Sequence, residues 1–490
     1  MVKRTVSAEL LSAENNKLSL GMSRIKDGKR YELSATIKGE MPEGAFISFC
    51  HGRMMSYGRW LEIDSKVLKY LNISTKADSP VYERAFEHGL TLKGKILLEI
   101  IADPVRNIRR ITLKTEDGEF VINENLFASC NGEVCAMADG VDLYDVTLSY
   151  EVAGYTNDIW IIGASYLSLF DPGRWPYYWY MEKGAGPLLM GRGGMGAQHG
   201  IEDLTDALKY GTPKILMWES VSGNNADTDG VASPIFYENT LKMLEICKEK
   251  GIKVYIQTMP NAPFRTNFYK NEIILNKALD FKNYDYEVVD LARALDAKKE
   301  KNPSWFPGMI SGDNIHPYPL GARAAYLATI VDAPELILGR VCDVYKADSV
   351  QLSSEALSIS ENVADEFALT FRADFDGDFE GKITIGNSDG KNGSFAEIDA
   401  DMIKAYSVID GKLALISEAE NPAIMKKLLN LRIKVKDGKA SLALMSAGEK
   451  HIEPKKYTLD TVEFDWNPVG NPFLRADGII LKDVRLKLAK

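Results

Sequence analysis

The hydrophobic and polar positions follow two different patterns along the chain. Up to about Tyr150 they alternate in short segments such as YELSATI, AFISF and KILLEII, and the same alternation returns from about Lys346 to the end. Such alternation is typical of β-strands with one face buried and one face in water. Neither outer region requires a long helix, so both are predicted to be all-β.

Between Asn157 and Gly339 the hydrophobic positions form nearly continuous runs instead. The segments IWIIG, KILMW, KVYIQT and YEVVD are typical of strands buried on both faces, and helical stretches lie between them. The clearest helix is predicted for Pro234–Lys250, with Ser233 as its N-cap and Gly251 ending it. Strands that alternate with helices predict a parallel sheet covered by helices on both faces.

The two outer regions also resemble each other. ADGVDLYDVTL (Ala138–Leu148) and ADGIILKDVRL (Ala476–Leu486) agree at seven of eleven positions, and each closes its region. EGAFISF followed by LEID is echoed by EGKITI followed by AEID. An Asp-Gly pair, Asp117-Gly118 in one region and Asp437-Gly438 in the other, predicts the same hairpin turn. These matches in the same order predict a duplicated all-β module, closed as a sandwich or jelly roll.

A chain of 490 residues is too long for one core. The patterns predict a β-sandwich or jelly-roll module over residues 1–153, a three-layer α/β domain with a parallel sheet over residues 154–340, and a second β module, a repeat of the first, over residues 341–490. In a parallel sheet, functional sites form at the carboxyl ends of the strands. The loops of the central domain are therefore the place to look for chemistry.

Composition excludes some classes of partner. A hydrophobic content of 45% and a charged content of 26% are ordinary for a globular protein. A net charge of -10 without a Lys/Arg-rich run argues against a nucleic-acid partner. The longest apolar stretch, Ile159–Phe170, is shorter than the roughly 20 residues of a membrane-spanning helix. No membrane partner is expected.

Cysteine use and the first residues bear on the compartment. Residues 1–20 contain no apolar segment followed by a small-residue cleavage site, so a cytoplasmic location is expected, and a leader upstream of residue 1 would change this to secretion. The five cysteines contain no CxxC pair and are predicted to be free thiols of a reducing compartment. They are Cys50, Cys130, Cys135, Cys247 and Cys342.

Ser165 directly follows the first central strand, Ile159–Gly163, and is predicted to lie in a strand-to-helix turn. There its backbone N–H can point at a developing oxyanion while its hydroxyl acts as a nucleophile. A helix cap is the alternative role for this serine. The later segment GRGGMGAQHG can expose backbone N–H groups to an anion. It lacks the endings of nucleotide-binding loops, and its His199 is interpreted as packed or solvated.

Two further segments carry an amide and a carboxylate–imidazole pair. KILMW runs into ESVSGNNADTDG, in which an asparagine amide is a neutral donor suited to an oxyanion, although a plain turn uses the same residues. In SGDNIHPYPLGARAAY, Asp313 precedes His316 by three residues. That spacing lets Asp313 accept a hydrogen bond from His316 Nδ1, which leaves Nε2 to take a proton from a serine.

This order of motifs resembles the SGNH/GDSL hydrolase family, over the central domain only. The family usually has an aspartate where this chain has Ala164 and Ala226, which predicts weaker support of two loops. Asn225 matches the amide donor of the family, and Asn224 is the fallback. The four family blocks correspond to Gly163-Ala164-Ser165, Gly194, residues 223–226 and Asp313–His316.

The resemblance implies a flavodoxin-like domain that hydrolyses esters through an acyl-enzyme. Ser165 would attack the acyl carbon, His316 would remove the serine proton, and Asp313 would hold the imidazole. The backbone N–H groups of Ser165 and Gly194 and the side-chain amide of Asn225 would form the oxyanion hole. No cofactor and no metal is required by this chemistry.

The expected substrate is a small ester, chiefly an acetyl group on a carbohydrate. The segment PGRWPYYWY supplies flat aromatic rings, with Trp175, Tyr177 and Tyr178 as candidate substrate-binding residues, although half of these aromatics are expected to be core. The outer modules resemble jelly rolls that accompany carbohydrate-active enzymes. No long apolar stretch is available to line an acyl-chain channel. DFDGD (Asp374–Asp378) is predicted to be a solvated turn, because its repeat copy IKGEM lacks calcium-ligating carboxylates.

Three alternatives stay open at this point. A short-chain lipase or thioesterase would use the same residues, and fold alone does not decide between acyl groups. A carbohydrate-binding protein could retain an inactive hydrolase core. The β modules could serve assembly, either by joining subunits into a homo-oligomer or by roofing the active site. An acetylated oligosaccharide is the partner that the main hypothesis predicts.

Overall fold

The structure is a computed structural model that describes most of the 490 residues. The described residues are 2–23, 29–54, 57–74, 80–103, 108–125, 132–152, 157–167, 173–183, 187–191, 194–219, 223–262, 265–295, 309–337, 341–350, 357–358, 366–421, 426–447 and 462–489.

The N-terminal module is a β-sandwich. Its strands are β1 (Val2–Leu11), β2 (Lys17–Ser23), β3 (Lys29–Glu40), β4 (Phe46–Met54), β5 (Tyr57–Ile63), β6 (Val67–Ser74), β7 (Pro80–Glu87), β8 (Lys93–Asp103), β9 (Ile108–Thr115), β10 (Gly118–Asn125), β11 (Gly132–Asp139) and β12 (Leu143–Val152). One six-stranded sheet has the order β1-β12-β3-β8-β9-β10 and the other the order β2-β11-β4-β5-β6-β7. Inward side chains of both sheets, such as Leu33 and Phe49, share one core.

The central domain contains a parallel sheet. Its strands are β13 (Ile159–Gly163), β14 (Leu188–Gly191), β15 (Ile215–Trp218), β16 (Lys253–Gln257) and β17 (Glu287–Val289). The strand order β14-β13-β15-β16-β17 is the 2-1-3-4-5 order of flavodoxin-like sheets. The helices are α1 (Trp175–Lys183), α2 (Ala197–Ala207), α3 (Pro234–Lys250), α4 (Phe268–Leu275), α5 (Leu291–Leu295), α6 (Pro319–Asp332) and α7 (Pro334–Ile337), with 3₁₀ turns at Ser165–Leu167, Gly223–Asn225 and Leu279–Asn283.

The C-terminal module is a second β-sandwich. Its strands are β18 (Val341–Val350), β19 (Leu357–Ser358), β20 (Phe367–Asp378), β21 (Lys382–Ser388), β22 (Gly393–Ile398), β23 (Met402–Ile409), β24 (Lys412–Glu420), β25 (Lys426–Lys436), β26 (Lys439–Ala447), β27 (Val462–Asp465), β28 (Asn471–Asp477) and β29 (Leu481–Ala489). Its sheets have the orders β18-β29-β20-β25-β26-β27 and β19-β28-β21-β22-β23-β24.

The two sandwiches have the same topology, strand for strand, in the part of the chain that the structure describes. Numbered within its own module, each has the orders 1-12-3-8-9-10 and 2-11-4-5-6-7. The two Asp-Gly pairs join β9 to β10 and β25 to β26, as the hairpin prediction required. The closing repeat is structural as well, because Asp145 and Asp483 occupy matching positions with φ of 50° and 49°.

The sequence predicted most of the central elements. The segments IWIIG, KILMW, KVYIQT and YEVVD contain β13, β15, β16 and β17, and β14 lies just before the glycine-rich loop. The helix α3 has the predicted bounds, with Gly251 in the left-handed conformation at its end and Ser233 at its N-cap position. The predicted boundaries after residues 153 and 340 fall between elements, since β12 ends before β13 begins and α7 ends before β18 begins.

Helices cover both faces of the parallel sheet. Side chains of α2 and α3 pack against Trp160 and Ile162 of β13, in a core that is continuous with the N-terminal sandwich. Side chains of α1, α5 and α6 pack on the other face against Ile161, in a second core that also includes Ala443 of the C-terminal sandwich. Arg4 of the N-terminal module pairs with Asp206 of α2. The α/β domain therefore lies between the two sandwiches.

Buried ion pairs join the C-terminal sandwich to the helices. Arg372 of β20 lies 2.7 Å from both carboxylate oxygens of Asp332, at the end of α6, and Arg432 of β25 lies 2.8 Å from Glu182 of α1. Because α6 begins just after His316 and rises about 1.5 Å per residue, Asp332 lies roughly 20 Å along the helix from the start of that helix. The contact between Arg372 and Asp332 is thus remote from the Asp-x-x-His motif.

Two sequence interpretations are corrected by the structure. DFDGD (Asp374–Asp378) belongs to strand β20 and is not a turn, and the Asp374 carboxylate pairs with Arg293 of α5. Trp175 and Tyr178 are only 1% and 7% exposed and belong to the core beneath α1. No helix among the described residues combines the length and the apolar character needed to cross a membrane.

Candidate active site

Asp313 and His316 form a closed local motif. Asp313 Oδ1 accepts hydrogen bonds from the backbone N–H of Ile315 at 2.9 Å, from that of His316 at 3.0 Å, and from the Ser311 hydroxyl. Its Oδ2 lies 2.6 Å from His316 Nδ1. With the proton on Nδ1, this contact orients the imidazole as a general base requires. The predicted Asp–His pairing is present.

The carboxyl group of Asp313 is held in its charged form. Its partial burial would raise its pKa, but hydrogen bonds from the His316 ring, the Ser311 hydroxyl and two backbone N–H groups hold that pKa well below its usual range. Asp313 can therefore stabilise the imidazolium that forms when His316 takes a proton.

Tyr166 supports the same histidine. The Tyr166 ring lies against the His316 ring, with 5.7 Å between centroids, and its hydroxyl donates to the carbonyl oxygen of Ile315 at 2.7 Å. Burial raises the pKa of the Tyr166 phenol, so the hydroxyl stays protonated as a donor. The other ring nitrogen of His316, Nε2, is buried and has no hydrogen-bond partner among the described residues. It is therefore available to a reacting group.

Ser165 begins a short 3₁₀ turn directly after β13, so the strand-to-helix turn predicted for it is present. The backbone N–H of Leu167 donates to the carbonyl oxygen of Ala164 at 3.1 Å, which closes this turn. The Ser165 side chain is half-buried. Because Tyr166 is the next residue and contacts His316, the turn brings the serine segment and the histidine segment together.

The backbone on both sides of Ser165 is held by charged side chains. The N–H of Ala164 donates to Glu219 Oε2 at 2.9 Å, and Glu219 is fully buried directly after β15. Arg174 Nε donates to the carbonyl oxygen of Ser165 at 3.0 Å. Ala164 is one of the two positions where the resemblance expects aspartate, and a carboxylate from another strand contacts its backbone here.

Asn225 lies at the end of the turn that follows β15 and is buried against the start of α2. Its Oδ1 accepts a hydrogen bond from the Ala197 N–H at 2.6 Å, and its Nδ2 lies 3.4 Å from Gln198 Oε1. Gly196 makes this approach feasible, because a Cβ there would lie 2.3 Å from Asn225 Oδ1. Gly194, the predicted donor, is exposed with φ of 76° in the same loop.

Asn224 has a bracing role. Its Nδ2 donates to the carbonyl oxygen of Met195 at 3.0 Å, and its Oδ1 accepts from Arg265 at 3.1 Å. Both ends of the Asn224 amide are therefore engaged, whereas the Asn225 Nδ2 has only the long contact to Gln198 among the described residues. This difference favours Asn225 over Asn224 as an amide donor to substrate.

A buried lysine lies behind Asn225. Lys270 Nζ donates to the carbonyl oxygen of Asn225, and the lysine side chain is inaccessible to solvent. Burial lowers the pKa of Lys270 to about 7, although the negative charge of Asp227 acts to raise it. Burial in turn raises the pKa of Asp227. Lys270 and Asp227 therefore support the loop that carries Asn225 from the protein interior.

The four sequence motifs meet at one edge of the sheet. Tyr166 connects the serine turn to the histidine loop. Glu219, at the end of β15, contacts the serine turn, and Asn225, in the turn after β15, contacts the glycine-rich loop. His199 Nδ1 accepts the N–H of Gly196 at 3.3 Å, so this histidine is packed within the loop as predicted. These contacts bring the segments that carry Ser165, His316, Asn225 and the glycine-rich loop to one edge of the sheet.

Only part of the predicted aromatic platform is available. Trp175 and Tyr178 lie in the core, and the Tyr178 hydroxyl donates to the carbonyl oxygen of Pro319 at 3.2 Å. A ring that is buried on both faces is not accessible to a sugar, so these two substrate-binding assignments are wrong. Tyr177 is half-buried and packs edge-to-face on Tyr178. Its assignment stays a prediction.

Sequence patterns missed Tyr166, Arg174, Glu219 and Lys270. A signal existed for Glu219, because a carboxylate directly after the apolar run KILMW lies at the edge of the sheet where sites form. Lys270 had no such signal, since a lysine early in a helix is normally solvated.

The described residues contain no cluster of three His, Cys, Asp or Glu side chains that could hold a metal ion. A cavity of about 520 Å³ lies where β16 and β17 begin, at the opposite edge.

Comparisons with known proteins found similarity only at the level of structure. No protein-family model and no curated protein sequence matches this chain. A solved structure described as a lipolytic protein of the G-D-S-L family from Desulfitobacterium hafniense DCB-2 is 17% identical, covers 36% of this chain and 97% of its own, and has a TM-score of 0.29.

Two further solved structures are similar to parts of the chain. A protein described as an acylhydrolase from Bacteroides fragilis NCTC 9343 is 15% identical over 35% of this chain and 83% of its own, with a TM-score of 0.27. The carbohydrate-binding module CBM66 from Bacillus subtilis is 18% identical over 31% of this chain and 91% of its own, with a TM-score of 0.18. These TM-scores are too low to support a function, so the proposal below depends on geometry.

Proposed function

We propose that the central domain is a serine esterase of the SGNH/GDSL type. The observation that carries the proposal is the contact of 2.6 Å between His316 Nδ1 and Asp313 Oδ2, combined with a buried Nε2 that no described residue uses. An imidazole held in this way can act as a general base. The proposed nucleophile is the half-buried Ser165, whose neighbour Tyr166 contacts His316.

In the proposed reaction, Ser165 Oγ attacks the acyl carbon while its proton passes to His316 Nε2. The tetrahedral intermediate collapses when the imidazolium returns this proton to the leaving alkoxide, so that an alcohol departs and an acyl-serine remains. Water then attacks the acyl-serine with His316 again as base, which releases the acid and restores the hydroxyl. Asp313 keeps the imidazole oriented and stabilises its charged form throughout.

The oxyanion would be held by neutral N–H donors. The backbone N–H groups of Ser165 and Gly194 and the Nδ2 of Asn225 are the proposed set. The Asn225 amide supports this role, because the Ala197 N–H fixes its oxygen, while its nitrogen has only a long contact of 3.4 Å with the described residues. Such a donor typically contributes roughly 2.7–4 kcal/mol of transition-state stabilisation.

The proposed substrate is a small acyl ester, chiefly acetyl, on carbohydrate. Polar side chains lie on and beside the loop that carries Asn225: Gln198 Oε1 lies 3.4 Å from Asn225 Nδ2, and Arg265 donates to Asn224 Oδ1 at 3.1 Å. Polar groups at this position favour a hydroxylated alcohol group over a long acyl chain. The two flanking sandwiches are compatible with a carbohydrate substrate.

A fluorophosphonate probe and a series of chromogenic esters test this proposal together. The probe should label the wild type on the peptide that carries Ser165, and Ser165→Ala should abolish the labelling. Activity should fall sharply from acetate to octanoate, because a pocket for one small group does not admit the longer chain. Labelling at another residue would refute the nucleophile assignment, and a preference for octanoate would favour a lipase.

A further inference from the structure

We infer that Glu219 and Arg174 are positioning residues for the nucleophile, which they hold by anchoring the backbone immediately before and after Ser165. The inference rests on the proposed role of Ser165. Each anchor comes from a different element: Glu219 follows strand β15, and Arg174 precedes helix α1. Neither residue is expected to touch the substrate.

The Glu219 anchor is built into the parallel sheet. The backbone N–H of Glu219 donates to the carbonyl oxygen of Ile162 at 2.7 Å, which continues the pairing of β13 with β15 and places Glu219 beside Gly163. Its carboxylate then reaches the Ala164 N–H at 2.9 Å. Gly163 is needed for this approach, because a Cβ there would lie 2.0 Å from Glu219 Oε2.

The position of Glu219 ties this contact to the proposed nucleophile. Glu219 is fully buried, and its carboxylate accepts a hydrogen bond from the N–H of Ala164, the residue directly before Ser165. A buried side chain has few alternative conformations, so this acceptor restrains the backbone that leads into the Ser165 turn.

Arg174 anchors the other side of Ser165. This arginine is 8% exposed, and its Nε donates to the Ser165 carbonyl oxygen while another of its nitrogens donates to the Gly173 carbonyl oxygen at 2.9 Å. A planar guanidinium that binds two carbonyl groups fixes their separation. The start of α1 and the Ser165 turn are therefore held in one arrangement.

Glu219 and Arg174 both act on the segment around Ser165, which includes Tyr166. Burial raises the pKa of Tyr166, the charge of Glu219 raises it further, and the charge of Arg174 lowers it. With the N–H before Ser165 and the carbonyl of Ser165 both held, the backbone dihedral angles of the serine have little freedom. The directions of its N–H and its Oγ follow from those angles, and an error of about 1 Å in such a site costs on the order of 100-fold in rate.

Two substitutions of Glu219 separate the hydrogen bond from the charge. Glu219→Gln keeps an oxygen that accepts the Ala164 N–H, whereas Glu219→Ala removes it. The value of kcat is expressed per Ser165 labelled by the fluorophosphonate. We expect Glu219→Ala to lose about 10- to 100-fold in kcat, with its KM within about twofold of the wild-type value. The kcat of Glu219→Gln should stay within about threefold of the wild type. Arg174→Met should lose kcat in the same way and tests the second anchor without changing the buried carboxylate.

Glu182→Gln is the control, because Glu182 is also a largely inaccessible carboxylate but binds Arg432 at the interface with the C-terminal sandwich. It should keep the wild-type kcat per labelled serine even where its thermal stability falls. Wild-type kcat in Glu219→Ala and Arg174→Met would overturn the inference, as would equal losses in Glu219→Gln and Glu219→Ala. A wild type that is not labelled at Ser165 would instead refute the proposed function.

Discussion

The hydroxyl of Tyr166 donates a hydrogen bond to the carbonyl oxygen of Ile315 across 149 positions of the chain. Tyr166 follows the proposed nucleophile, and Ile315 precedes the proposed base. The two halves of the catalytic pair are therefore connected through their chain neighbours. The Tyr166 ring also packs against the imidazole of the proposed base. No described residue forms a hydrogen bond with Nε2 of this imidazole.

Tyr166→Phe should reduce catalysis without unfolding the protein. The phenyl ring keeps its contact with His316, but the Ile315 carbonyl loses a neutral hydrogen bond worth about 1 kcal/mol. We expect kcat for a chromogenic acetate to fall about 3- to 10-fold, and Tyr166→Ala, which also removes the ring, to fall further. Unchanged kcat in both variants would show that this contact does not position the base.

The proposed triad should behave as one unit. Ser165→Ala and His316→Ala should each remove nearly all ester hydrolysis, and the double variant should be no worse than either single one. Asp313→Asn should also lose activity by several orders of magnitude, because an amide in place of the carboxylate favours the wrong imidazole tautomer. Steady-state rates and far-UV circular dichroism of each variant check this. Additive losses in the double variant would contradict the assignment.

Lys270 should make stability depend on pH. Its pKa is about 7 in the folded protein and near 10.5 in the unfolded chain. Between these values the unfolded chain binds a proton that the folded protein has released, so folding gains stability as the pH rises, by at most about 1.4 kcal/mol per pH unit. Below pH 7 both states are protonated and this gain is absent.

Lys270→Met removes this titration. The difference in Tm between the wild type and Lys270→Met should therefore shift in favour of the wild type from about pH 7 to about pH 9.5, and should stay constant at lower pH. Thermal unfolding at four or five pH values measures it. A difference that is independent of pH across the whole window would mean that Lys270 titrates alike in both states.

The interface between the C-terminal sandwich and α1 should depend on one buried ion pair. Glu182→Ala leaves the fully buried side chain of Arg432 without its carboxylate, which should destabilise the folded protein by about 3–5 kcal/mol. The matched control is Glu119→Ala, which removes the exposed pair with Lys114 and should cost less than about 1 kcal/mol. Thermal unfolding of both variants compares them, and equal shifts would show that burial does not matter here.

The pattern of the sequence by itself determined the elements and the duplication. Alternating and continuous apolar runs depend on which faces of a strand are buried, so they located some of the strands of both sandwiches and four strands of the parallel sheet. Capping and turn residues placed α3 and the two Asp-Gly hairpins. The contact of Asp313 with His316 was predictable for the same reason: the residues are three positions apart, and the turn between them is local.

Tertiary structure alone decided how this motif is supported. The contacts of Tyr166 with Ile315, of Glu219 with Ala164 and of Lys270 with Asn225 join residues 45 to 149 positions apart. They exist because the strand order 2-1-3-4-5 brings the ends of β13, β14 and β15 side by side, and no local pattern encodes that order. Tertiary structure also decided the role of Trp175 and Tyr178. Their aromatic segment suited a sugar platform or a core equally well, and the packing of α1 against α6 buried both rings.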